Sequence, residues 1–198
     1  MLLKNLNEPD VELHSFETYR NDETLAARYF EWLEDLSVTN LISSEELILP
    51  KTFSFIADSF KRFTSKNSIG FFIKHNVTDK MVGTAKLDQI SFFKRTAWDG
   101  IMIGEKDYFG KGIGYKTYKL LLAYGFSILG LNKIAGGCNE HNVAMIRIFK
   151  KIGYREEGRL RQADYINGEY SDHLVFGILR QEFFKINRVN LGIRGQPR

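Results

Sequence analysis

Residues 101–115 read IMIGEKDYFGKGIGY and combine an apolar run, a glycine-rich loop and the start of a predicted helix. Glycines let the backbone approach a ligand without interference from Cβ atoms. The first N–H groups of a helix and the positive end of its dipole favour an anion, and Lys111 adds a positive charge beside them. The stretch therefore predicts a pyrophosphate-binding loop, against the alternative of a glycine-rich turn without a ligand.

Two other phosphate-binding loops do not fit this stretch. The pattern G-x-x-x-x-G-K-[ST], started at Gly110, meets Tyr115 where the second glycine is required. The dinucleotide-binding pattern G-x-G-x-x-G, started at Gly112, meets Thr117 in place of its last glycine. That pattern also belongs to parallel sheets, whereas the strands before this loop are predicted to be antiparallel. A different nucleotide-binding enzyme that uses the same loop stays an alternative hypothesis.

Helices are predicted first along the chain. Residues 22–36 form a helix capped by Asp22, because apolar residues recur on one face at Leu25, Tyr29, Trp32, Leu33 and Leu36. A second helix is predicted after Pro50, with a stripe of Phe53, Ile56, Phe60 and Phe63. Such an aromatic stripe is typical of a core, and the alternative is that it lines a substrate pocket.

Strands follow, and then helices and strands alternate. Residues 68–76, 80–90 and 95–103 are predicted to form an antiparallel meander. A helix over 113–129 turns Leu120, Leu121, Tyr124 and Ile128 inward. Residues 132–136 form a short strand, 142–151 a helix ending at Gly153, and 154–159 an extended segment. The last strands, 162–166 and 170–179, are joined by Asn167-Gly168, a strong hairpin signal.

Composition limits the class of protein. The 198 residues fit one domain, predicted over 1–186, with a flexible basic tail over 187–198. No signal peptide or membrane span is recognised, and we expect a cytoplasmic protein. The single Cys138 excludes an intramolecular disulfide and a cysteine-cluster metal site, and no metal is expected. A net charge of +4 indicates general solubility or an anionic ligand, and no dense basic face indicates nucleic acid.

The glycine loop resembles motif A of the GCN5-related N-acetyltransferases (GNAT), whose core is R/Q-x-x-G-x-G/A. Gly112-Ile113-Gly114 supply the glycine part, and Phe109 stands where the family usually has Arg or Gln. An aromatic residue there is familiar in the RimJ/RimL-like branch, whose loop commonly reads Y-W-G-K-G, while residues 108–112 here read YFGKG. Residues 139–154, 157–161 and 172–176 also resemble that branch, and the resemblance is strong over 83–184.

The resemblance implies an α/β (α+β) fold with a mixed, mostly antiparallel sheet splayed between the strands at 98–103 and 132–136. Acetyl-CoA is the implied co-substrate, with its pantetheine arm in the split and its pyrophosphate on the loop 109–115. Backbone groups of Met102 and Ile103 pair with the arm like an added strand. The implied cofactor-binding residues are Ile101, Met102, Ile103, Phe109, Gly110, Lys111, Gly112, Ile113, Gly114, Tyr115, Asn142, Met145, Phe149 and Lys151.

The implied reaction is direct attack of a primary amine on the thioester. The predicted catalytic residues are Asn142, Asp99 and His173. Asn142 either caps its helix or contacts the cofactor, Asp99 is the first candidate for the general base, and His173 is placed to contact substrate. Phe149 and Trp98 stand where relatives often carry a Tyr acid and a Glu base, so a non-catalytic acyl-CoA-binding protein is the alternative. A thiolate relay through Cys138 is a further alternative.

The acceptor is not fixed by the motifs. The aromatic residues of the N-terminal half are expected to build its wall: Tyr29, Phe30, Trp32, Phe53, Phe55 and Phe60. The basic charge favours an anionic acceptor such as an amino-sugar nucleotide over a polyamine, and protein N-terminal or polyamine acetylation stays the alternative. We expect a monomer or a homodimer that binds neither nucleic acid nor membrane.

Overall fold

The computed structural model describes residues 2–5, 7–42, 61–189 and 191–194, with side chains up to residue 191. The strands are β1 (Leu2–Asn5), β2 (Glu8–Ser15), β3 (Ile69–His75), β4 (Lys80–Ser91), β5 (Thr96–Ile103), β6 (Lys133–Asn139), β7 (Arg155–Ile166), β8 (Glu169–Leu179) and β9 (Leu191–Arg194). The helices are α1 (Phe16–Tyr19), α2 (Glu23–Glu34), α3 (Leu36–Thr39), α4 (Ile113–Ser127), α5 (Val143–Ile152) and α6 (Arg180–Ile186).

Local signals in the sequence set the ends of several elements. The side chain of Asp22 accepts a hydrogen bond from the N–H of Leu25 at 2.9 Å and begins α2. Gly153 ends α5 in the left-handed region, with φ of 107°. Asn167 and Gly168 have φ of 54° and 86°, which matches the twist of the hairpin between β7 and β8. These predictions are confirmed.

The described strands form one mixed sheet in the order β7-β8-β6-β5-β4-β3-β2-β1-β9. The predicted meander β3–β4–β5 is antiparallel, as expected. The parallel contact is between β5 and β6, and it covers only Thr96–Trp98 against Lys133–Ala135. Beyond Trp98 the two strands separate, while β5 stays paired with β4 and β6 with β8. The predicted fold and its central split are confirmed.

Two apolar clusters cover opposite faces of the sheet. On one face, α4 and α5 pack with Leu121, Phe126 and Phe149, all essentially inaccessible to solvent. On the other, α1 and α2 pack Phe16 and Trp32 onto the sheet. Alternate strand residues divide between the clusters, because successive side chains of a strand point to opposite faces. The faces are called here the helix face (α4 and α5) and the aromatic face (α1 and α2).

The N-terminal prediction was wrong in one respect. The chain begins with strands β1 and β2, which pair with each other and extend the meander through β3, before any helix. The pattern at residues 8–15 is polar at several positions, because one side of this strand, which lies between β3 and β1, is only half-buried. The helix predicted after Pro50, with Phe53, Ile56 and Phe60, lies outside the described residues, and Phe63 of its stripe is buried.

Single positions also differ from the prediction. Leu36 is 78% exposed, because α2 ends at Glu34 and a separate short helix begins at Leu36. Ile128 is 41% exposed, because it lies past the last full turn of α4. Strand β8 ends at Leu179, as predicted, and the helix α6 that follows it was not predicted.

Part of the tail predicted to be flexible is ordered. Leu191–Arg194 form β9 and pair antiparallel with β1. The side chain of Asn187 is buried and donates to the carbonyl oxygens of Ile152 and Phe183. The outer edge of β1 would otherwise present unpaired N–H and C=O groups, and β9 satisfies them.

Candidate active site

The glycine loop leads directly into α4. Gly110 and Gly112 have φ of 71° and 79°, and a Cβ atom built on either would meet nothing within 4 Å. Conformation rather than lack of space therefore requires glycine at both positions. The outer side of the loop is open, and the first N–H groups of α4, at residues 113–115, have no partner within the helix. This geometry suits an anion approaching from solvent.

Four lysines lie near the beginning of α4. Lys116 and Lys119 form ion pairs with Asp10 and Glu8 of β2. Lys111 and Lys151 instead contact aromatic rings: their Nζ atoms lie 5.5 and 4.2 Å from the ring centroids of Tyr108 and Tyr115. In the described part of the chain these two lysines have no carboxylate partner, so their charge stays available beside the loop.

A cavity of about 340 Å³ opens where β5 and β6 separate. Its floor includes Asp99 and Gly100 of β5 and Gly137 and Cys138 of β6. Four of the predicted cofactor residues line it, namely Ile101, Met102, Asn142 and Met145. Its outer wall is aromatic, with Phe16, Tyr29, Phe63 and Trp98. The cavity therefore joins the split to the aromatic face.

Other predicted cofactor residues lie elsewhere. Ile103 lies at the end of β5 and residues 109–115 in the loop and the first turn of α4, and none of them lines the cavity. Phe149 does not line the cavity. It is fully buried and stacks on Phe176 with ring centroids 4.8 Å apart, so its position is that of a core residue.

Two glycines of β6 make room at the apex of the split. A Cβ atom on Gly136 would lie 2.4 Å from Oδ1 of Asp99, and one on Gly137 would lie 2.3 Å from Nε2 of His173. Successive residues of a strand face opposite sides of the sheet. Asp99 therefore lies against β6 on the helix face and His173 on the aromatic face.

The carboxyl of Asp99 accepts hydrogen bonds from two tyrosines. Tyr118 of α4 donates to Oδ1 at 3.1 Å, and Tyr154, just after α5, donates to Oδ2. Burial raises the pKa of Asp99 to about 7, and the two hydroxyl donors oppose that rise by stabilising the carboxylate. Asp99 lines the cavity, and the residue as a whole is partly buried.

His173 belongs to a second polar cluster. Its Nδ1 lies 3.1 Å from the carboxylate of Asp164, whose side chain is only 4% exposed. Asn139 donates to the same carboxylate at 3.0 Å and to Ser171 at 2.6 Å. With Nδ1 held by Asp164, the ring directs Nε2 toward Gly137 and the cavity. A carboxylate that orients an imidazole in this way is a common arrangement for a general base.

Asn142 and Cys138 also line the cavity. The side chain of Asn142 accepts from the N–H of Met145 at 3.1 Å and caps α5. Burial, with contributions from Asp164 and Glu156, raises the pKa of Cys138 to about 11. The thiol therefore stays protonated at neutral pH, and a thiolate relay is disfavoured.

Sequence patterns missed Tyr118, Tyr154 and Asp164. Tyr118 occupies a position that the helix period assigns to the core, Tyr154 follows the end of α5, and a hydroxyl on a buried side chain requires a partner. This need for a partner was the signal in the sequence that could have indicated a polar contact at the two tyrosines. No signal in the sequence indicated Asp164, because its contact with His173 depends on an irregularity in the pairing of β7 with β8.

Two features, a membrane-spanning helix and a metal-binding cluster, are absent from residues 2–5, 7–42, 61–189 and 191–194. No helix there has the length and apolar character to cross a bilayer. No group of three or more His, Cys, Asp or Glu side chains within those ranges could hold a metal ion.

The raised pKa of Asp99 predicts a pH-dependent stability. The folded protein keeps this proton at pH values where the unfolded chain, with an ordinary Asp pKa near 4, has lost it. The contribution to stability is therefore present at low pH and is lost as pH rises through about 7. Between pH 5 and pH 8, Asp99→Asn should gain roughly 2 kcal/mol in free energy of unfolding relative to wild type, measured by urea denaturation. A difference between the two proteins that does not change with pH would contradict this assignment.

Comparisons with known proteins agree with the fold. Among curated relatives, "Probable N-acetyltransferase YjcK" of Bacillus subtilis is 34% identical over 105 residues, which are 52% of this chain and 58% of that protein. The uncharacterised N-acetyltransferase YoaA of the same species is 28% identical over 180 residues, 91% of this chain and 93% of that one. Spermidine N(1)-acetyltransferase of Escherichia coli is 32% identical over 101 residues, 51% and 54% of the two chains. The chain thus spans little more than half the length of the first and third of these relatives.

Solved structures share the fold. A chimera of the spermidine N-acetyltransferase SpeG from Vibrio cholerae and hSSAT has a TM-score of 0.74 and 21% identity, covering 89% of this chain and 99% of that one. The dodecameric spermidine N-acetyltransferase from Vibrio cholerae has a TM-score of 0.71 and 25% identity, covering 88% and 96%. The family model described as "Acetyltransferase (GNAT) domain" matches residues 1–155. With its split sheet, its glycine loop and this match, the chain belongs to the GNAT acetyltransferase family.

Proposed function

We propose that the protein transfers the acetyl group of acetyl-CoA to a primary amine by direct attack on the thioester. The observation that carries the proposal is the split between β5 and β6. After three paired positions the strands leave a cavity that Ile101 and Met102 of β5 line and that ends at an aromatic wall, and the open glycine loop follows the end of β5. A phosphate-bearing thioester and an amine can enter this cavity from opposite faces of the sheet.

The residues present fit acetyl-CoA along this route. The N–H groups of residues 113–115, which have no partner within the helix, are directed to the pyrophosphate, and Lys111 and Lys151 add charge beside them. Beyond Trp98, the edge of β5 that faces β6 is no longer paired with that strand. Its backbone groups therefore pair with the pantetheine arm in the manner of an added strand. Alternate residues of a strand direct their N–H groups to opposite edges. Of Met102 and Ile103, one therefore directs its N–H into the split, where it stabilises the oxygen of the reacting carbonyl.

His173 is the proposed general base, in place of Asp99. Trp98, Gly100 and Met102 of β5 face the aromatic side, where the acceptor enters, and His173 faces the same side from β8. Asp164 holds Nδ1, so Nε2 is free to accept the proton of the attacking amine. Asp99 points to the opposite face, which disfavours the base role expected for it. Asn142, which caps α5 at the cavity, is proposed to position the thioester end of the cofactor.

The acceptor class proposed first is a polyamine. Two findings support it: the spermidine acetyltransferases among the relatives and fold neighbours, and the aromatic wall, whose ring faces attract ammonium groups. The amino-sugar nucleotide expected from net charge has no counterpart among these relatives. At the cavity mouth, Lys86 and Arg62 both pair with Asp88, so the local charge is mixed. A protein N-terminus, in keeping with a RimJ/RimL-like branch, stays the second candidate.

The role of the loop can be tested at Gly112. In Gly112→Ala the new Cβ lies on the open side of the loop, and the left-handed backbone costs about 1–2 kcal/mol of stability. We expect acetyl-CoA affinity, measured by calorimetry, to fall at least tenfold. The matched control is Gly130→Ala, which has φ of 66°, equally open surroundings and a position away from the loop. Equal affinities in the two variants would contradict the loop assignment.

The reaction can be tested by release of CoA thiol. Acetyl-CoA is supplied with spermidine and spermine, with peptides bearing free N-termini, or with amino-sugar nucleotides. We expect turnover with the polyamines and at least tenfold lower kcat/KM with the other classes. Binding of acetyl-CoA without thiol release in any mixture would instead support a non-catalytic acyl-CoA-binding protein.

A further inference from the structure

One buried acid at the apex of the split has no role in the scheme above. Asp99 is the first residue of β5 beyond the last position paired with β6, and its Oδ1 lies over Gly136. Both of its carboxylate oxygens are held by hydroxyls that reach in from the helix face. Any side chain larger than hydrogen at Gly136 would occupy the place of this carboxyl.

The surroundings of Asp99 on the helix face are otherwise apolar. Phe149 packs between the tyrosines, with ring centroids 5.6 Å from Tyr118 and 4.8 Å from Tyr154. The titratable groups that face Asp99 are Tyr118 from α4 and Tyr154 after α5, and the thiol of Cys138 on β6 lies beside Tyr118. Burial, with Asp99 nearby, holds the pKa of both tyrosines well above the usual value, so their hydroxyls stay protonated.

The direction in which the amine attacks places the sulfur of acetyl-CoA on the helix face. The cofactor is proposed to enter from the beginnings of α4 and α5, which lie on the helix face, and the amine from the aromatic face. Attack on a carbonyl held in the split then drives the sulfur away from the amine, toward the helix face. A departing thiolate in an apolar site requires a proton, and the ring of Phe149 has none to give.

We propose that neutral Asp99 donates its carboxyl proton to the departing sulfur of acetyl-CoA, while Tyr118 and Tyr154 position the carboxyl. This inference rests on the proposed function. The C–N bond forms as the C–S bond breaks, the proton of the amine passes to His173, and the proton of Asp99 passes to sulfur. Solvent then returns a proton to Asp99 and removes one from His173, so protons balance over the cycle.

The hydroxyls of Tyr118 and Tyr154 also explain how the carboxyl of Asp99 can donate a proton in each catalytic cycle. They stabilise the carboxylate that remains after donation, and they oppose the rise in pKa that burial causes. With a pKa of about 7, Asp99 is partly protonated at neutral pH and can exchange its proton with solvent through the cavity.

The first experiment uses Asp99→Asn, which keeps the shape of the side chain and removes the proton. We expect kcat to fall at least a hundredfold, the range for loss of a general acid, while acetyl-CoA affinity measured by calorimetry stays within twofold of wild type. A kcat within threefold of wild type would overturn the acid role. Wild type that binds acetyl-CoA but acetylates no amine would overturn the proposed function, and this proposal with it.

The second experiment compares Tyr118→Phe and Tyr154→Phe with Tyr124→Phe. Tyr124 is also buried on α4, packs against Phe71 and does not contact Asp99. Loss of a donor to the carboxylate raises the pKa of Asp99. The fall in kcat that occurs above about pH 7 should therefore move to higher pH in the first two variants and stay in place in the third. A profile that is unmoved in both variants would overturn the proposal.

Discussion

The structure depends on the point at which the pairing between β5 and β6 ends. Each strand keeps one partner over its whole length, β5 with β4 and β6 with β8, and they share only three paired positions. Backbone groups buried without partners are costly, so the open edge of β5 is stable only where water or a ligand completes its hydrogen bonds. If β5 and β6 were paired along their full length, the sheet would have no cavity. The glycine loop before α4 would then lie beside no opening in the sheet.

The apex of the split separates Asp99 and His173, the two proposed proton-transfer groups, by a single strand, β6. Gly136 and Gly137 are adjacent and face opposite ways, and each admits a side chain from another strand. Asp99 fills the space on the helix face and His173 the space on the aromatic face. The pair of glycines thus allows the proposed acid and the proposed base to approach the split from two sides, each held by its own partners, the tyrosines and Asp164.

The sequence predicted the central fold well, because the signals there are local. Asp22, Gly153 and Asn167-Gly168 act through their own backbone, and the glycine loop through its own conformation. The N-terminal strands were missed, because pairing with β3 stabilises them and their own pattern is weak. The polar partners in the site were missed for the same reason: Tyr118 and Tyr154 reach Asp99 from positions 19 and 55 residues away along the chain. Long-range contacts of this kind leave no periodic trace.

A crystal structure with an unreactive thioether analogue of acetyl-CoA tests the central claim most directly. The analogue should lie along β5 beyond Trp98, with its diphosphate on residues 109–115 and its sulfur within about 3.5 Å of the Asp99 carboxyl. An analogue bound elsewhere, or β5 and β6 paired along their full length, would contradict the account.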